Sequence, residues 1–412
     1  MKNSGLAILL SHGLFASMII LAGSAAIAQS DVTPGERLVH EQMLTLDTHL
    51  DTPMLLERSG WAFGDLHQYA WDNSQVDLPR MEAGGLDGGF FVIYTPQGPL
   101  TPAAYARARS AALLRAAAIQ RMVASYPLKL EFATSAADAP RIAASGKRAV
   151  YQSIENSYPL GTNLELLETF YRLGVRLAGP VHTTNNQFAD SATDKPKWKG
   201  LSALGRAWVA EMNRLGMVVD ASHASDQAFD QLLALSKTPI ILSHSGPKAM
   251  FDHPRNLDDE RMRKLAAAGG VMQVNSIYLV QHDNSPARGA ITVRQSNFRS
   301  MTPEQQRQLL ADKAALDAVT PYTSATFDMF MASVLHAIKV MGVDHVGIGC
   351  DWDGGGGVIG MQDISQIPRI TAALRKAGYS DTDIQKIWSG NVLRLLRQAE
   401  DYAAGARIRG AK

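Results

Sequence analysis

Two kinds of apolar pattern repeat along the chain. Short, almost continuous apolar runs are typical of buried parallel strands, whereas longer segments with apolar residues three and four positions apart are typical of amphipathic helices. The two kinds alternate, and a helical segment separates most neighbouring runs. The runs predict eight strands, at residues 44–51, 86–95, 147–155, 175–182, 217–223, 239–244, 270–275 and 345–351.

Eight strands that alternate with helices predict a (β/α)8 barrel of the TIM type, an α/β fold. An open, doubly wound sheet is the alternative, but it would not need eight similar units. No linker divides residues 29–412, so they are expected to form one barrel domain. The irregular polar stretch 281–320, with a helix at 303–316, is interpreted as an insertion after the seventh strand. Two amphipathic helices at 364–377 and 382–403 end the barrel sequence.

The composition indicates a folded domain and disfavours one class of partner. Of the 412 residues, 46% are hydrophobic and 19% are charged, which allows a large core and disfavours wholesale disorder. The net charge is +1 without a basic stripe, so nucleic acid is not an expected partner. Cys350 is the only cysteine, and no intramolecular disulfide can therefore form.

Residues 1–28 have the pattern of a secretory signal peptide. Lys2 is followed by an apolar stretch at 14–22 and by small residues, so we expect cleavage after Ala28. The alternative is a permanent membrane anchor, but residues 11–13 break the apolar run below the roughly 18–20 residues that a span needs. No permanent membrane span is therefore expected. The leader resembles bacterial ones, so we expect the mature protein in the periplasm.

Residues that bind metals or carry protons stand at the ends of most predicted strands. His49 and Asp51 end the first strand two positions apart, so their side chains point to the same side. Barrel enzymes have their active sites at the carboxyl ends of the strands. A lone histidine there is more often structural than a ligand, but several such ends together favour one shared metal site. The other strand-end candidates are Glu155, His182, His223, His244 and Asp351.

The residue types indicate which metal this site would take. Imidazole and carboxylate ligands together suit Zn²⁺ and similar ions. One carboxylate can bridge two ions about 3.5–4 Å apart and lower the pKa of the water that they share. Glu155 is the candidate for this bridge, with His49 and Asp51 on one ion and His223 and His244 on the other.

A set of short motifs, taken in order, resembles the membrane (renal) dipeptidase family of binuclear zinc metallopeptidases. Each motif is weak alone, and the likeness runs from about residue 45 to 395. The matching segments are Asp47-Thr-His-Leu-Asp-Thr-Pro53, Val76-Asp-Leu-Pro-Arg80, Ile154-Glu155, His182-Thr-Thr-Asn185, Ala189-Asp190, Val219-Asp-Ala-Ser-His223, Leu242-Ser-His-Ser245, Arg255-Asn256 and Gly347-Ile-Gly-Cys-Asp-Trp-Asp-Gly354.

The resemblance implies a zinc-dependent dipeptidase on an amidohydrolase-like barrel. It implies two zinc ions per chain, bridged by Glu155, and attack of a metal-bridging hydroxide on the peptide bond of a dipeptide. Members of the family often accept a D-residue on the carboxyl side, so L,D-dipeptides are expected among the substrates. A homodimer is expected from the resemblance alone.

The resemblance also implies roles for three residues that do not bridge or hold the metals. His182 is expected beside the substrate, where it polarises the scissile carbonyl. Arg255 is expected to bind the terminal carboxylate of the substrate, a contact that suits the guanidinium fork. Asp351 is expected to carry a proton to the leaving amine.

Several alternatives remain open from the sequence. Arg255 lies in a turn-like Asp-His-Pro-Arg-Asn segment and would be a surface residue in the other interpretation. Either Asp351 or Asp353 would face the site, and we favour Asp351 because it completes the strand. The aromatic loop at 57–74 is interpreted as a pocket wall rather than a partner-binding patch.

The sequence also departs from the family pattern around the bridging glutamate. The usual Glu-Gly-Gly is replaced by Glu155-Asn156-Ser157, whose larger side chains would narrow or reshape the pocket. The rival enzymatic hypothesis is an amidohydrolase that uses the same binuclear site on N-acyl amino acids or a lactone. No lysine ends a predicted strand, which favours a glutamate bridge over the carboxylated lysine that many amidohydrolases use.

Overall fold

The structure, a computed structural model, describes residues 32–410. The predicted signal peptide at 1–28 lies outside these residues. Within the described part the chain forms nine strands: β1 Leu46–Leu50, β2 Gly88–Tyr94, β3 Leu130–Phe132, β4 Arg148–Glu155, β5 Val175–Ala178, β6 Val218–Val219, β7 Ile241–Ser245, β8 Val271–Val274 and β9 Val346–Ile348.

Eight of these strands close into a parallel barrel. They pair in the order β1-β2-β4-β5-β6 and β7-β8-β9. Two isolated parallel bridges, Asp220 with Ile241 and Leu50 with Trp352, join the two sheets into a ring. Backbone hydrogen bonds complete both seams, from Ala221 to Ile241 at 2.8 Å and from Asp51 to Trp352 at 2.9 Å. The predicted (β/α)8 barrel is therefore confirmed.

Helices surround the barrel and connect its strands. Several begin at the sequence signals expected of helix starts; Thr101 caps the long α4, which has proline at its first position. Within residues 32–410 the helices are α1 Pro34–Glu41, α2 Tyr69–Asp72, α3 Leu78–Gly84, α4 Pro102–Ser125, α5 Asp138–Ala144, α6 Glu165–Arg172, α7 Ala203–Leu215, α8 Asp226–Leu235, α9 Asp259–Ala267, α10 Pro286–Gln295, α11 Pro303–Val319, α12 Phe327–Met341, α13 Pro368–Lys376, α14 Asp381–Gln385 and α15 Asn391–Gly410. None of the described helices is long and apolar enough to cross a membrane.

The C-terminal helix covers one end of the barrel. Leu395 and Leu396 of α15 belong to an apolar cluster that takes buried residues from seven barrel strands. These residues are Leu46, Phe90, Ala149, Tyr151, Leu177, Val218, Ile241 and Val271, with both Ala149 and Tyr151 on β4. Most lie at or near the amino ends of their strands, so α15 packs against that end of the barrel. The carboxyl end remains for the functional site.

The elements that the sequence did not predict are short or irregular. Strand β3 has three residues and pairs with the first half of β4, and α5 follows it. The insertion contains α10 in addition to the expected α11. The second predicted C-terminal helix is divided by a π-helical turn at Lys386–Gly390, between α14 and α15.

Candidate metal centre

The residues that the sequence predicted at strand ends meet at the carboxyl end of the barrel. Possible ligand atoms form three overlapping groups, and within each group they lie within 4.8 Å of one another. The groups are His49, Glu155 and His244; Glu155, His182 and His223; and His49, Asp51 and Asp351. All of these side chains are buried except that of His182, which is partly exposed. The convergence predicted from the sequence is present.

Glu155 is the centre of the cluster. It is the last residue of β4, and its Oε1 atom lies 2.8 Å from His223 Nε2 and 3.3 Å from His244 Nε2. The Nε2 atoms of His49 and His182 each lie 3.6 Å from the same oxygen. The Nε2 atoms of His223 and His244 are only 2.9 Å apart. Four imidazole nitrogens therefore point at one carboxylate oxygen, as ligands around metal ions would.

Two aspartates form the opposite side of the cluster. Asp51 Oδ2 lies 3.4 Å from His49 Nε2, and Asp351 Oδ1 lies 4.0 Å from the same nitrogen. Gly354 packs directly against both carboxylates, and a Cβ atom there would collide with Asp51 and Asp351. Glycine at this position therefore lets the two acidic groups and the backbone approach closely.

The protonation states of this cluster suit a divalent cation. Burial holds the pKa values of His223 and His244 well below the usual range, so their rings are neutral and have free lone pairs. Burial also opposes ionisation of Glu155, but the charges of His182 and His49 outweigh it and hold the pKa of Glu155 well below its usual value. His49 is the exception, because the charges of Glu155 and Asp51 outweigh burial and raise its pKa well above the usual range. Without an ion its ring therefore keeps a second proton, which a bound cation would displace.

Unpartnered buried atoms give a second test of whether a metal fits. His49 Nε2 and Asp51 Oδ1 are buried and have no hydrogen-bond partner among the described residues. Buried polar atoms without partners are rare and costly, since each has lost its contacts with water. Both atoms belong to residues of one group of possible ligands, so the residues present fit the nitrogen and oxygen ligands of a zinc-type ion.

The backbone is strained where it carries these side chains. Asn156, His223, Asp351 and Asp353 have φ angles of 66°, 66°, 66° and 64°, in the left-handed region that non-glycine residues rarely adopt. Each follows a barrel strand and adjoins or belongs to the cluster. Such conformations are held by their surroundings and concentrate at functional sites.

Asp351 and Asp353 lie in different surroundings. Asp353 accepts hydrogen bonds of 2.6 Å from the Thr52 hydroxyl and from the Gln75 backbone, and it anchors the loop after β9. Asp351 instead faces the histidine cluster. Burial and the charges of Asp51 and Glu155, partly offset by His49, raise the pKa of Asp351 to about 7.

Arg255 is buried beside the cluster, and its interpretation as a surface residue is therefore wrong. Its side chain donates to the His244 carbonyl at 3.1 Å and to Ser245 Oγ at 3.4 Å, and its guanidinium lies 5.1 Å from the centre of the Tyr278 ring. Within residues 32–410 it forms no ion pair, and its Nε atom has no hydrogen-bond partner. A buried guanidinium without a carboxylate partner is suited to an anionic ligand.

Asn156 and Ser157, which replace the two glycines of the family pattern after Glu155, have side chains that point away from the centre. Asn156 Oδ1 accepts from Asn186 Nδ2 at 3.0 Å and from the Tyr158 backbone at 3.2 Å. Ser157 Oγ donates to the Gly179 carbonyl at 2.8 Å. Both side chains thus bind neighbouring loops of the barrel instead of lying among the ligand atoms.

The sequence did not identify the two tyrosines beside the cluster. The Tyr94 ring lies 4.9 Å from that of His182, and burial together with the charges of Glu155 and Asp51 raises its pKa to about 12. Tyr278 packs under Arg255. Tyr94 could have been found, because it ends β2 in register with Glu155; nothing local distinguishes Tyr278.

The aromatic loop and the insertion pack against each other. The Trp71 and Phe298 rings are stacked 6.2 Å apart, and Arg299 lies 2.8 Å from His67 Nδ1. His67 itself is buried against Trp61, with ring centres 4.4 Å apart. These contacts give His67 a packing role and join the loop that follows β1 to the insertion that follows β8.

Comparisons with known proteins show which family and which structures this chain is similar to. The family model described as membrane dipeptidase, peptidase family M19, matches residues 35–409. The chain is 33% identical to dipeptidase tcpJ of Claviceps purpurea over 81% of its own length and 71% of the relative's. The structure of the probable dipeptidase PvdM from Pseudomonas aeruginosa is similar with a TM-score of 0.76 and 31% identity, covering 90% of this chain and 98% of that one. That of dipeptidase AC, a metallo peptidase of family M19, gives a TM-score of 0.69 and 26% identity, covering 87% and 98%.

Proposed function

The chain belongs to the membrane dipeptidase family and is a metal-dependent dipeptidase; on this basis we propose that its centre holds two zinc ions bridged by Glu155. The observation that carries the proposal is the position of Glu155 Oε1, which has four imidazole nitrogens within 3.6 Å. A carboxylate that has four imidazole nitrogens around it is better placed to bridge two metal ions than to bind a single ion.

The surrounding residues divide naturally between the two ions. His49 and Asp51, which share β1 and its end, would hold one ion together with Glu155. His223 and His244, whose Nε2 atoms are 2.9 Å apart, would hold the other. When bound, such ions supply Lewis-acid polarisation of a carbonyl group and activation of water.

The remaining residues would bind and orient the dipeptide. Arg255 would pair with the terminal carboxylate, because it is a buried cation without an acidic partner in the described part of the chain. His182 is the most exposed histidine of the cluster and would donate to the scissile carbonyl. Asp351 faces the cluster across from Glu155 and would carry the proton that the leaving amine needs.

Three further proposals concern substrates, location and assembly, and the family resemblance supports them. The substrates would include dipeptides with a D-residue on the carboxyl side. Residues 1–28 would be removed as a signal peptide, which delivers the protein to the periplasm. The mature protein would form a homodimer. N-terminal sequencing of protein from fractionated cells and size-exclusion chromatography with light scattering test the last two points.

A substrate panel tests the proposed reaction. Zinc-loaded protein would be incubated with L,L-dipeptides, L,D-dipeptides and N-acetyl amino acids, each with and without chelator, and the released amino acids would be measured. We expect chelator-sensitive cleavage of the free dipeptides, with L,D pairs among those cleaved. Cleavage of the N-acetyl compounds alone would contradict the proposal and favour a deacylase that uses the same residues.

A further inference from the structure

Two motif residues with no role so far lie directly behind the metal-ligand candidates. Ser243 precedes His244 in β7, and Asp220 follows β6; both are buried. Ser243 Oγ lies 2.5 Å from Asp220 Oδ2, 2.9 Å from His244 Nδ1 and 3.4 Å from His49 Nδ1. One hydroxyl group therefore contacts two imidazole rings and one carboxylate. It also lies 3.4 Å from the Ser222 hydroxyl, which accepts from the His244 backbone N–H.

The direction of these hydrogen bonds follows from counting protons. A serine hydroxyl has a single proton to donate, and the short contact with Asp220 shows where it goes. The other Asp220 oxygen accepts from the backbone N–H groups of Ser222 at 2.9 Å and Ser243 at 3.0 Å, so both oxygens act as acceptors. Ser243 Oγ is then left to accept from the Nδ1–H groups of His244 and His49.

This arrangement determines which nitrogen of each ring is free. A neutral imidazole that donates through Nδ1 has its lone pair on Nε2. The Nε2 atoms of His49 and His244 are the atoms that face Glu155, at 3.6 and 3.3 Å. The hydroxyl therefore selects the ligand-competent tautomer of both rings and limits their rotation.

We propose that Asp220 and Ser243 are positioning residues that hold His49 and His244 ready for the two metal ions. The inference rests on the proposed binuclear centre, in which these histidines belong to different ions. Since both rings depend on one hydroxyl, Ser243 couples the two metal sites, and Asp220 acts through Ser243. In other proteins, residues that form hydrogen bonds with the metal ligands, but do not bind the metal themselves, orient those ligands and strengthen metal binding.

His223 and Asp47 show how specific this arrangement is. His223 Nδ1 has no hydrogen-bond partner among the described residues, so its ring is not held in this way. Asp47 is also a buried carboxylate near His49, but it accepts from the backbone N–H groups of His49 and Cys350. Asp47 thus supports the backbone, whereas Asp220 and Ser243 support the imidazole rings.

The test measures metal affinity in Ser243→Ala, Asp220→Asn and the double variant, by competition with a chromophoric chelator. Ser153→Ala is the matched control, because Ser153 is a buried serine on a barrel strand whose hydroxyl has no partner in the described part of the chain. We expect each single variant to bind both ions about 10–100-fold more weakly. The double variant should bind metal no more weakly than the single variant with the lower metal affinity, because Asp220 acts through Ser243.

Two further readouts separate positioning from a merely structural role. The visible spectrum of the Co²⁺-substituted protein should change in Ser243→Ala. The metal-free variant should keep the wild-type far-UV circular dichroism spectrum, although it should unfold at a lower temperature because Asp220 Oδ2 loses a buried hydrogen-bond partner. Folded Ser243→Ala that binds both ions with wild-type affinity and spectrum would overturn the inference, as would strictly additive losses in the double variant. If Asp220→Asn does not fold, Ser243→Ala still decides the question. Wild-type protein that binds no metal would instead overturn the proposed binuclear centre.

Discussion

Replacing Arg255 by alanine gives the sharpest test of substrate binding. The guanidinium is buried, is held by the His244 carbonyl and Ser245, and has an unpartnered Nε atom. It is therefore already placed and dehydrated before a substrate arrives. If it binds the terminal carboxylate, Arg255→Ala should weaken dipeptide binding and mainly raise KM.

The size of the effect can be worked from these contacts. A hydrogen bond to a charged group contributes about 1.5–3 kcal/mol, and a guanidinium fork makes two of them with a carboxylate. Removing one partner of a buried charge pair costs about 2–5 kcal/mol. We therefore expect a loss of about 3 kcal/mol in transition-state binding, which is a fall of roughly 150-fold in kcat/KM.

The assay compares a dipeptide with its C-terminal amide in the wild-type enzyme and the variant. The amide lacks the negative charge, so the wild type should cleave it poorly and Arg255→Ala should lose little further activity on it. Arg255→Lys retains the charge but not the fork, and should fall between the two enzymes. An equal loss of kcat/KM on the dipeptide and the amide would refute the carboxylate assignment, and so would an unchanged KM for the dipeptide.

Three other substitutions test separate parts of the account. Asp351→Asn should bind metal normally and lose about 10²–10⁴-fold in kcat, as measured by steady-state kinetics beside metal analysis; wild-type turnover would remove Asp351 from the mechanism. Gly354→Ala should weaken metal binding because its Cβ would collide with Asp51 and Asp351, whereas Gly289→Ala, where the added Cβ meets nothing, should not. Burial lowers the pKa of His40 in the folded protein to about 4, from its ordinary value of 6.5. Between these two pH values the unfolded chain takes up a proton that the folded protein does not, so the free energy of unfolding should fall by on the order of 3 kcal/mol as the pH falls from about 6.5 towards 4. Between pH 7 and 4.5 the free energy of unfolding, measured with denaturant, should fall less in His40→Gln than in the wild type. An identical fall in both proteins would contradict the effect assigned to His40.

The sequence predicted the barrel well because its strands have a simple pattern. Buried parallel strands have almost continuous apolar runs, so their positions and order were recognisable, and the predicted bounds were nearly right for β2 and β4. The predicted ends were too long where the chain leaves the sheet to form the site: β5 stops at Ala178 and β6 at Val219, although His182 and His223 lie beyond them. Residues at these ends turn into loops and, at His223, into the left-handed region.

The same reasoning explains which parts of the site were predictable. The ligand candidates were visible because histidine and carboxylate side chains recur at strand ends, and the barrel topology brings those ends together. The connection of Ser243 to His49 was not visible, since the two are 194 positions apart in the chain and meet only across the closed barrel. The orientation of Asn156 was also missed, because its left-handed backbone turns the side chain towards Asn186 rather than into the pocket.

The central claim is a two-metal centre bridged by Glu155, and anomalous X-ray diffraction at the zinc edge from crystals of the zinc-loaded protein tests it most directly. The account predicts two anomalous peaks per chain, both within bonding distance of the Glu155 carboxylate, with His49 and Asp51 at one peak and His223 and His244 at the other. A single peak, or two peaks that Glu155 does not join, would contradict it.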